Sequence, residues 1–390
     1  MRILHVIPSI SPLRGGPSQA VLSMVAALRQ QGLDASILTT NDHGPGVQAA
    51  MPLGRWHQQE ALGEAVPVLA FGRLSPPVRA LREFAIAPGL TSWLGKNARR
   101  YDLVHVHALF SCTTSLGMAQ LRRQRVPYIQ RTIGQLNRWS LSQSRARKQL
   151  FLKLVDRANL QGARALHFTS EAERQEAGDL HLATPSFVLP LGVPQLLLDR
   201  QAIPIADGPT RLLFLSRLHP KKQLPVLLDA LAALKRSHPA SPWQLDIAGD
   251  GDPEYLQHLK QHCNALGLNP QVNWHGFVAG AAKQQLLQQA DWFVLPSASE
   301  NFGIAAAEAL MAGTPVLLSP GVALAADVQV AQAGIICEPT LEALAACLEQ
   351  CLVPPSLPMR QAARQLAEQQ FGWSSISRQL IGHYEAALRG

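Results

Sequence analysis

The strongest constraint on this chain is a repeated change of hydrophobic period. Short, near-continuous apolar runs alternate with segments of helical spacing. The runs Ile3–Ile7, Ala35–Thr39, Leu103–His107, Tyr128–Arg131, Ala165–Thr169 and Phe187–Leu189 read as strands, and patterns such as Ser18–Gln31, Thr113–Gln124 and Arg145–Gly162 read as helices between them. A second series predicts strands over Arg211–Ser216, Gln244–Ala248, Val272–Trp274, Trp292–Leu295, Pro315–Leu318 and Gly334–Cys337, with helices over Leu224–Arg236, Glu254–Leu266, Ala281–Ala290, Ile304–Ala312 and Leu341–Cys351. Strands that are apolar on both faces need helices on both faces, which means parallel sheets. Pro190, Pro194 and the stretch 203–209 punctuate the join as a linker. The expectation is an α/β protein of two Rossmann-like domains facing across a central cleft. Ligands would bind at the carboxyl ends of the strands.

Composition narrows the class. The chain has 390 residues, 47% hydrophobic and 16% charged, so it can bury large cores and is not disordered. No run approaches the roughly 20 apolar residues of a membrane span. The N-terminus reads as a first strand rather than an export signal, which argues against a two-lobed solute-binding protein. Cys112, Cys263, Cys337, Cys347 and Cys351 form no C-x-x-C pair and read as buried hydrophobes in a reducing cytosol. A cytoplasmic protein is expected, with room for peripheral contact at the inner face of the membrane.

The net charge of +8 is uneven: residues 1–200 hold 23 basic and 12 acidic side chains, and residues 201–390 hold 12 and 15. Residues 103–155 have nine basic residues and no acidic one. The basic stretch 122–148 reads as a docking face for anionic lipid or a lipid-linked acceptor, or as a solvated basic face. With no strongly apolar helix face there, any binding is expected to be reversible and salt-sensitive. No helix-turn-helix, zinc or stacking-aromatic pattern accompanies the charge, so no nucleic acid is expected.

Chemistry-bearing groups recur at predicted strand ends. Pro296 to Glu308 runs from a buried strand through a polar loop carrying Glu300, Asn301, Phe302 and Gly303 into a small-residue helix carrying Glu308. A carboxylate beside the free N–H groups of a helix start can hold phosphate or sugar hydroxyls. Arg217 and Lys222 follow another strand, and a guanidinium plus an ammonium at a helix start form a diphosphate clamp. Gly15 and Gly16 follow the first strand, where glycines let backbone approach a ligand; a plain tight turn fits as well. His105 and His107 share one face of a strand. His107, at the strand end, can touch ligand, His105 reads as a core histidine, and a metal is the weaker reading. Gly249 opens Gly-Asp-Gly-Asp, where Asp250 and Asp252 suit either a tight turn or Mg²⁺, the turn being preferred. Ser170 to Glu173 reads as a capping box.

In this order and spacing the groups resemble the retaining glycosyltransferases of GT-B fold, family 4. The resemblance covers nearly the whole chain. It rests on the E-x7-E pair Glu300 and Glu308, the Arg217/Lys222 segment, the Gly15-Gly16 loop, His107, and His275-Gly276-Phe277. It implies an acceptor-binding domain over 1–200, a nucleotide-sugar domain over 205–370, and a C-terminal helix near 373–390 returning to the first. It implies a UDP- or GDP-sugar donor, a glycan or lipid-linked acceptor, and no metal or other cofactor. By the same resemblance Glu308 holds ribose, Glu300 with the Phe302–Gly303 backbone holds the sugar, His107 lies near the transferred sugar, and His275-Gly276-Phe277 lies beside the nucleotide. Gln223 departs from the glycine that many relatives carry after the lysine. A sugar-nucleotide epimerase or a phosphorylase shares this architecture and is the alternative.

Overall fold

The computed structural model describes residues 1–14, 16–44, 47–74, 85–142, 145–195 and 208–389, so positions 203–207 of the expected linker lie outside the described residues. The chain divides into two compact units, Met1–Gly192 with Trp373–Gly390, and Val193–Gly372.

The first unit is built on an eight-stranded sheet: β1 (Arg2–Val6), β2 (Asp34–Thr40), β3 (Trp56–Ala61), β4 (Glu64–Phe71), β5 (Leu103–His107), β6 (Tyr128–Arg131), β7 (Ala165–Phe168) and β8 (Ser186–Val188). Their order is β3-β4-β2-β1-β5-β6-β7-β8. Neighbours are parallel except the β3–β4 hairpin. That hairpin was not anticipated from sequence. β3 reads Trp-His-Gln-Gln-Glu-Ala, polar enough for an edge, and its turn uses Leu62 and Gly63 at φ 52° and 75° rather than an Asn-Gly signal.

Alternation along the strands gives this sheet two unlike faces. Leu4, Val6, Val104, Val106, Tyr128, Leu166 and Phe168 form one core with Leu90, Leu94, Met118, Leu121 and Leu160 from the covering helices. The opposite face carries His5, His105, His107, Arg131 and His167 in cross-strand register. The C-terminal helix Trp373–Arg389 belongs to this unit and buries Trp373, Ile376, Leu380 and Tyr384. The helix expected over 145–162 is three pieces: Arg145–Phe151, a π-helical turn Leu152–Asp156, and Arg157–Gln161.

The second unit holds six parallel strands: β9 (Thr210–Leu215), β10 (Trp243–Ala248), β11 (Val272–Gly276), β12 (Trp292–Leu295), β13 (Val316–Leu318) and β14 (Gly334–Ile336), in the order β11-β10-β9-β12-β13-β14. Helix Leu224–Ser237 buries Leu224, Leu227, Leu228, Leu231 and Leu234, spaced to one stripe. Each such leucine contributes about 1.5–3 kcal/mol on burial. Strand order reverses between β9 and β12, as it does between β1 and β5, and such switch points are where doubly wound sheets open a crevice for ligand. Among the described residues no helix is long and apolar enough to cross a membrane.

Candidate active site

The switch point of the second unit joins residues far apart in sequence. Arg217 and Lys222 follow β9, Glu300 follows β12, and these two strands are adjacent. Lys222 Nζ is in direct contact with Glu300 Oε1, which also accepts from Ser297 Oγ at 3.1 Å. The Glu300 loop is held by backbone on two sides: Ala298 N donates to Lys221 O at 2.9 Å and Glu300 N to Gly321 O at 2.8 Å. Gly321 permits the second contact, since a Cβ there would lie 2.4 Å from Ala298 O. Burial, with the charges of Lys221 and Arg217 adding, pushes the Lys222 ammonium down to about 7, while the touching carboxylate favours its charged form. Arg217 is exposed and makes no hydrogen bond or ion pair among the described residues.

Gln223 takes φ 56°, ψ 30°, the left-handed conformation that glycine adopts without strain. The departure from glycine therefore leaves the turn intact and places some strain in it.

Gly303 caps helix Ile304–Met311 at φ 88°, and Phe302 packs edge-to-face on Phe371 with ring centroids 5.5 Å apart. The Phe302 side chain is thus core, and what this loop offers a ligand is backbone. Glu308, inside the helix, is not a solvated face: Lys283 Nζ donates to its Oε1 at 2.7 Å. Sequence reading passed over Lys283, because one lysine on a polar helix carries no signal until its helix is placed.

Gly249 has φ 144°, and a Cβ on it would lie 1.8 Å from Ser216 O, so the loops after β9 and β10 meet at van der Waals contact. The aspartates after it have local work. Asp250 Oδ1 accepts from Gly251 N at 2.8 Å, and Asp252 caps helix Pro253–Ala265 through Glu254 N and Tyr255 N. This is the turn reading. His275, placed beside the nucleotide by resemblance, turns its ring to the Asp246 carboxylate at 2.7 Å on the neighbouring strand. Gly276 has φ 65° and Phe277 is exposed.

In the first unit Gly15 lies outside the described residues, and Gly16 begins helix Gly16–Gln30. The loop before it is anchored by a group that sequence reading missed: buried Asp42 pairs with Arg14 at 2.6 Å and with Arg73 at 2.5 Å.

His107 was expected to reach a ligand, and the structure instead encloses it completely. Arg131 Nη1 donates to its Nδ1 at 3.4 Å, so its proton sits on Nε2, which donates to His5 Nδ1 at 3.0 Å. A second line runs beside it. His167 Nε2 donates to Leu189 O at 2.9 Å, His105 Nε2 to His167 Nδ1 at 3.3 Å, and Tyr384 Oη to His105 Nδ1 at 2.8 Å. All four Nδ1 atoms are acceptors, so all four histidines are neutral. Burial holds each well below the usual histidine range, and Arg131 adds to this. His5, His105 and His107 are close enough to share a metal, with ligand atoms within 4.8 Å of one another. Hydrogen bonds occupy these nitrogens except His5 Nε2, and the Arg131 charge opposes a cation beside them.

Glu173 makes only half of the expected capping box. Its backbone N donates to Ser170 Oγ, but its buried carboxylate accepts from Thr169 N and Thr169 Oγ1 at 2.8 Å and from Thr132 and Gly134. It therefore clamps the loop after β6. The basic stretch 122–148 is not one face either. Arg122, Arg123 and Arg125 precede β6, Arg131 is buried at its end, and Arg138, beyond it, pairs with Asp179 at 2.9 Å.

The fold agrees with what known proteins show. Residues 15–192 match the glycosyl transferase 4-like domain and residues 198–370 match the glycosyl transferases group 1 family. The chain belongs to the group 1 glycosyltransferases, and its fold is GT-B. An uncharacterized glycosyltransferase of Methanocaldococcus jannaschii is 40% identical over 121 residues, so the match spans 31% of this chain and only 30% of that protein. A D-inositol 3-phosphate glycosyltransferase of an Arthrobacter species is 26% identical over 415 residues, 99% of this chain and 94% of that one. Anabaena HepE, solved in complex with UDP and glucose, superposes with a TM-score of 0.71 at 20% identity over 99% of this chain and 100% of that one.

Proposed function

We propose that the protein is a retaining glycosyltransferase. It moves a sugar from a UDP- or GDP-sugar to a hydroxyl of a glycan or lipid-linked acceptor, in cell-surface polysaccharide or glycolipid synthesis on the cytoplasmic side of a membrane. The observation that carries the reading is the contact of Lys222 with Glu300 beside Arg217, at the switch point between β9 and β12. Arg217 and Lys222 take up the charge that grows on the leaving diphosphate, which is electrostatic stabilisation of the transition state. Glu300 orients the sugar, and Glu308 accepts from ribose hydroxyls. The bond from the anomeric carbon to the β-phosphate oxygen breaks, the acceptor oxygen bonds to that carbon from the same face, and the acceptor proton passes to the departing phosphate. With cations in place at the diphosphate, no divalent metal is required. The UDP and glucose held by Anabaena HepE support a uridine donor.

Calorimetric titration with UDP, GDP and ADP, followed by product analysis with the matching sugar donors in EDTA, tests the reading. Binding of one nucleoside diphosphate and an axial-for-axial anomeric product are expected. Failure of all three nucleotides to bind, or inversion at the anomeric carbon, rejects it.

A further inference from the structure

We infer that the helical layer over the apolar face of the first unit is a docking surface for an anionic lipid bilayer. Helices Pro88–Asn97, Cys112–Gln124 and the 145–161 segment all bury their inner sides in one core through Leu90, Leu94, Met118, Leu121, Leu152 and Leu160. Their outer sides therefore face away from the sheet as one layer. These three segments carry almost no acid, and the acidic helix Glu171–Ala177, which buries Ala177 in the same core, lies outside the proposed surface. From Pro88 to Arg157 the acidic residues are Asp102, which takes the Arg2 backbone N–H at 2.7 Å, and Asp156, fully buried on the Phe110 amide. Lys96, Arg99, Arg100, Arg122, Arg123 and Lys153 are exposed, and none forms an ion pair with a described residue.

The same layer exposes aliphatic side chains. Leu116, Leu150 and Leu154 are 49%, 58% and 69% exposed. Across the π-helical turn Leu152 and Asp156 point inward while Leu150, Lys153 and Leu154 stay outside. Between the first two helices runs a groove of about 580 Å³, lined by Pro88, Thr91, Lys96, Cys112, Leu116 and Gln120. Cations without counter-charges beside exposed leucines fit one occupant well. Phosphate headgroups meet the arginines and lysines, and leucines enter the acyl boundary. A nucleic acid would use the charge but not the leucines, and Trp93, the tryptophan of these helices, is engaged by Trp56 of β3 at 5.9 Å. This surface extends beyond the stretch 122–148 to Lys96–Arg100 and Lys153, and it goes beyond the transferase reading, whose donor residues lie in the second unit.

The test is co-sedimentation with phosphatidylglycerol/phosphatidylcholine vesicles and with phosphatidylcholine alone, at low and high salt. The protein is expected to sediment with the anionic vesicles at low salt only. Arg122→Glu/Arg123→Glu lowers that partition about tenfold or more. Leu150→Ser/Leu154→Ser lowers it about tenfold while keeping the salt dependence. Nucleoside diphosphate affinity, measured in parallel, stays at the wild-type value in both, so a fault in the donor assignment shows separately. Wild-type protein left in the supernatant with anionic vesicles at low salt overturns the inference. So does sedimentation of both variants like wild type, or binding to a single-stranded polynucleotide with none to vesicles.

Discussion

Lys283 Nζ lies 2.7 Å from Glu308 Oε1, across from helix Gly280–Gln289 to helix Ile304–Met311. Both carboxylates of the spaced pair are therefore held by lysines, Glu308 by Lys283 and Glu300 by Lys222. Paired carboxylates keep a fixed direction and do not confront a diphosphate with bare negative charge.

The two carboxylates are expected to divide the work. Glu308→Ala should mainly weaken nucleoside diphosphate binding, since ribose hydrogen bonds persist from ground state to transition state. Glu300→Ala should depress kcat more than nucleotide affinity. Each lost charge-assisted hydrogen bond is worth about 1.5–3 kcal/mol. Calorimetry beside steady-state rates measures this, and equal affinity losses in the two variants would reject the division.

Arg217→Ala and Lys222→Ala should each slow transfer by roughly a hundredfold or more, with the fold unchanged. Near wild-type turnover in either variant would show that the clamp is misassigned.

Nucleotide binding should depend on the charge of Lys222. Its ammonium is held down to about 7. A bound diphosphate favours the protonated form and raises that value, so binding takes up a proton above neutrality. Affinity should then fall as pH rises from about 7, by at most about tenfold per unit. Titration in buffers of different ionisation enthalpy counts the proton; a pH-independent affinity between 6.5 and 8.5, with no proton uptake, contradicts this.

The histidine face should make the first unit acid-labile. His5 is lowered to about 3, and His105, His107 and His167 lie well below their ordinary value. Below about 6.5 the unfolded chain takes up protons that the folded one refuses, so stability is present above that pH and is lost as pH falls. Each such histidine costs about 1.4 kcal/mol per pH unit. Urea midpoints should drop steeply from pH 7 to pH 5. A flat profile would mean that these rings are charged or exposed.

Gln223→Gly should retain activity and match or exceed wild-type stability, because relief of about 1–2 kcal/mol of left-handed strain offsets the entropy of glycine. Gly249→Ala should be destabilised by more than 3 kcal/mol, because its Cβ would meet Ser216 O at 1.8 Å. Thermal melts of the pair decide it.

The sequence alone determined the alternation of strands and helices and the division into two doubly wound series. Period and apolar continuity are local properties, and they survive any arrangement of the elements. It also located Arg217, Lys222 and Glu300 after strand ends and Glu308 inside the helix that follows, since those boundaries are written in neighbouring residues. It missed the β3–β4 hairpin, whose polar edge strand lacks the apolar signal, and it missed Lys283 and Asp42, whose partners lie 25 and 28 or more residues away.

Only the tertiary structure set β9 beside β12, bringing Lys222 to Glu300 across 78 positions. Only the register of β1, β5, β6 and β7 gathered four histidines and Arg131 on one face, enclosing His107. Strand order and register are decided by which faces pack together and by backbone pairing between distant segments. No local pattern records them, because a strand reads the same whichever neighbour it pairs with.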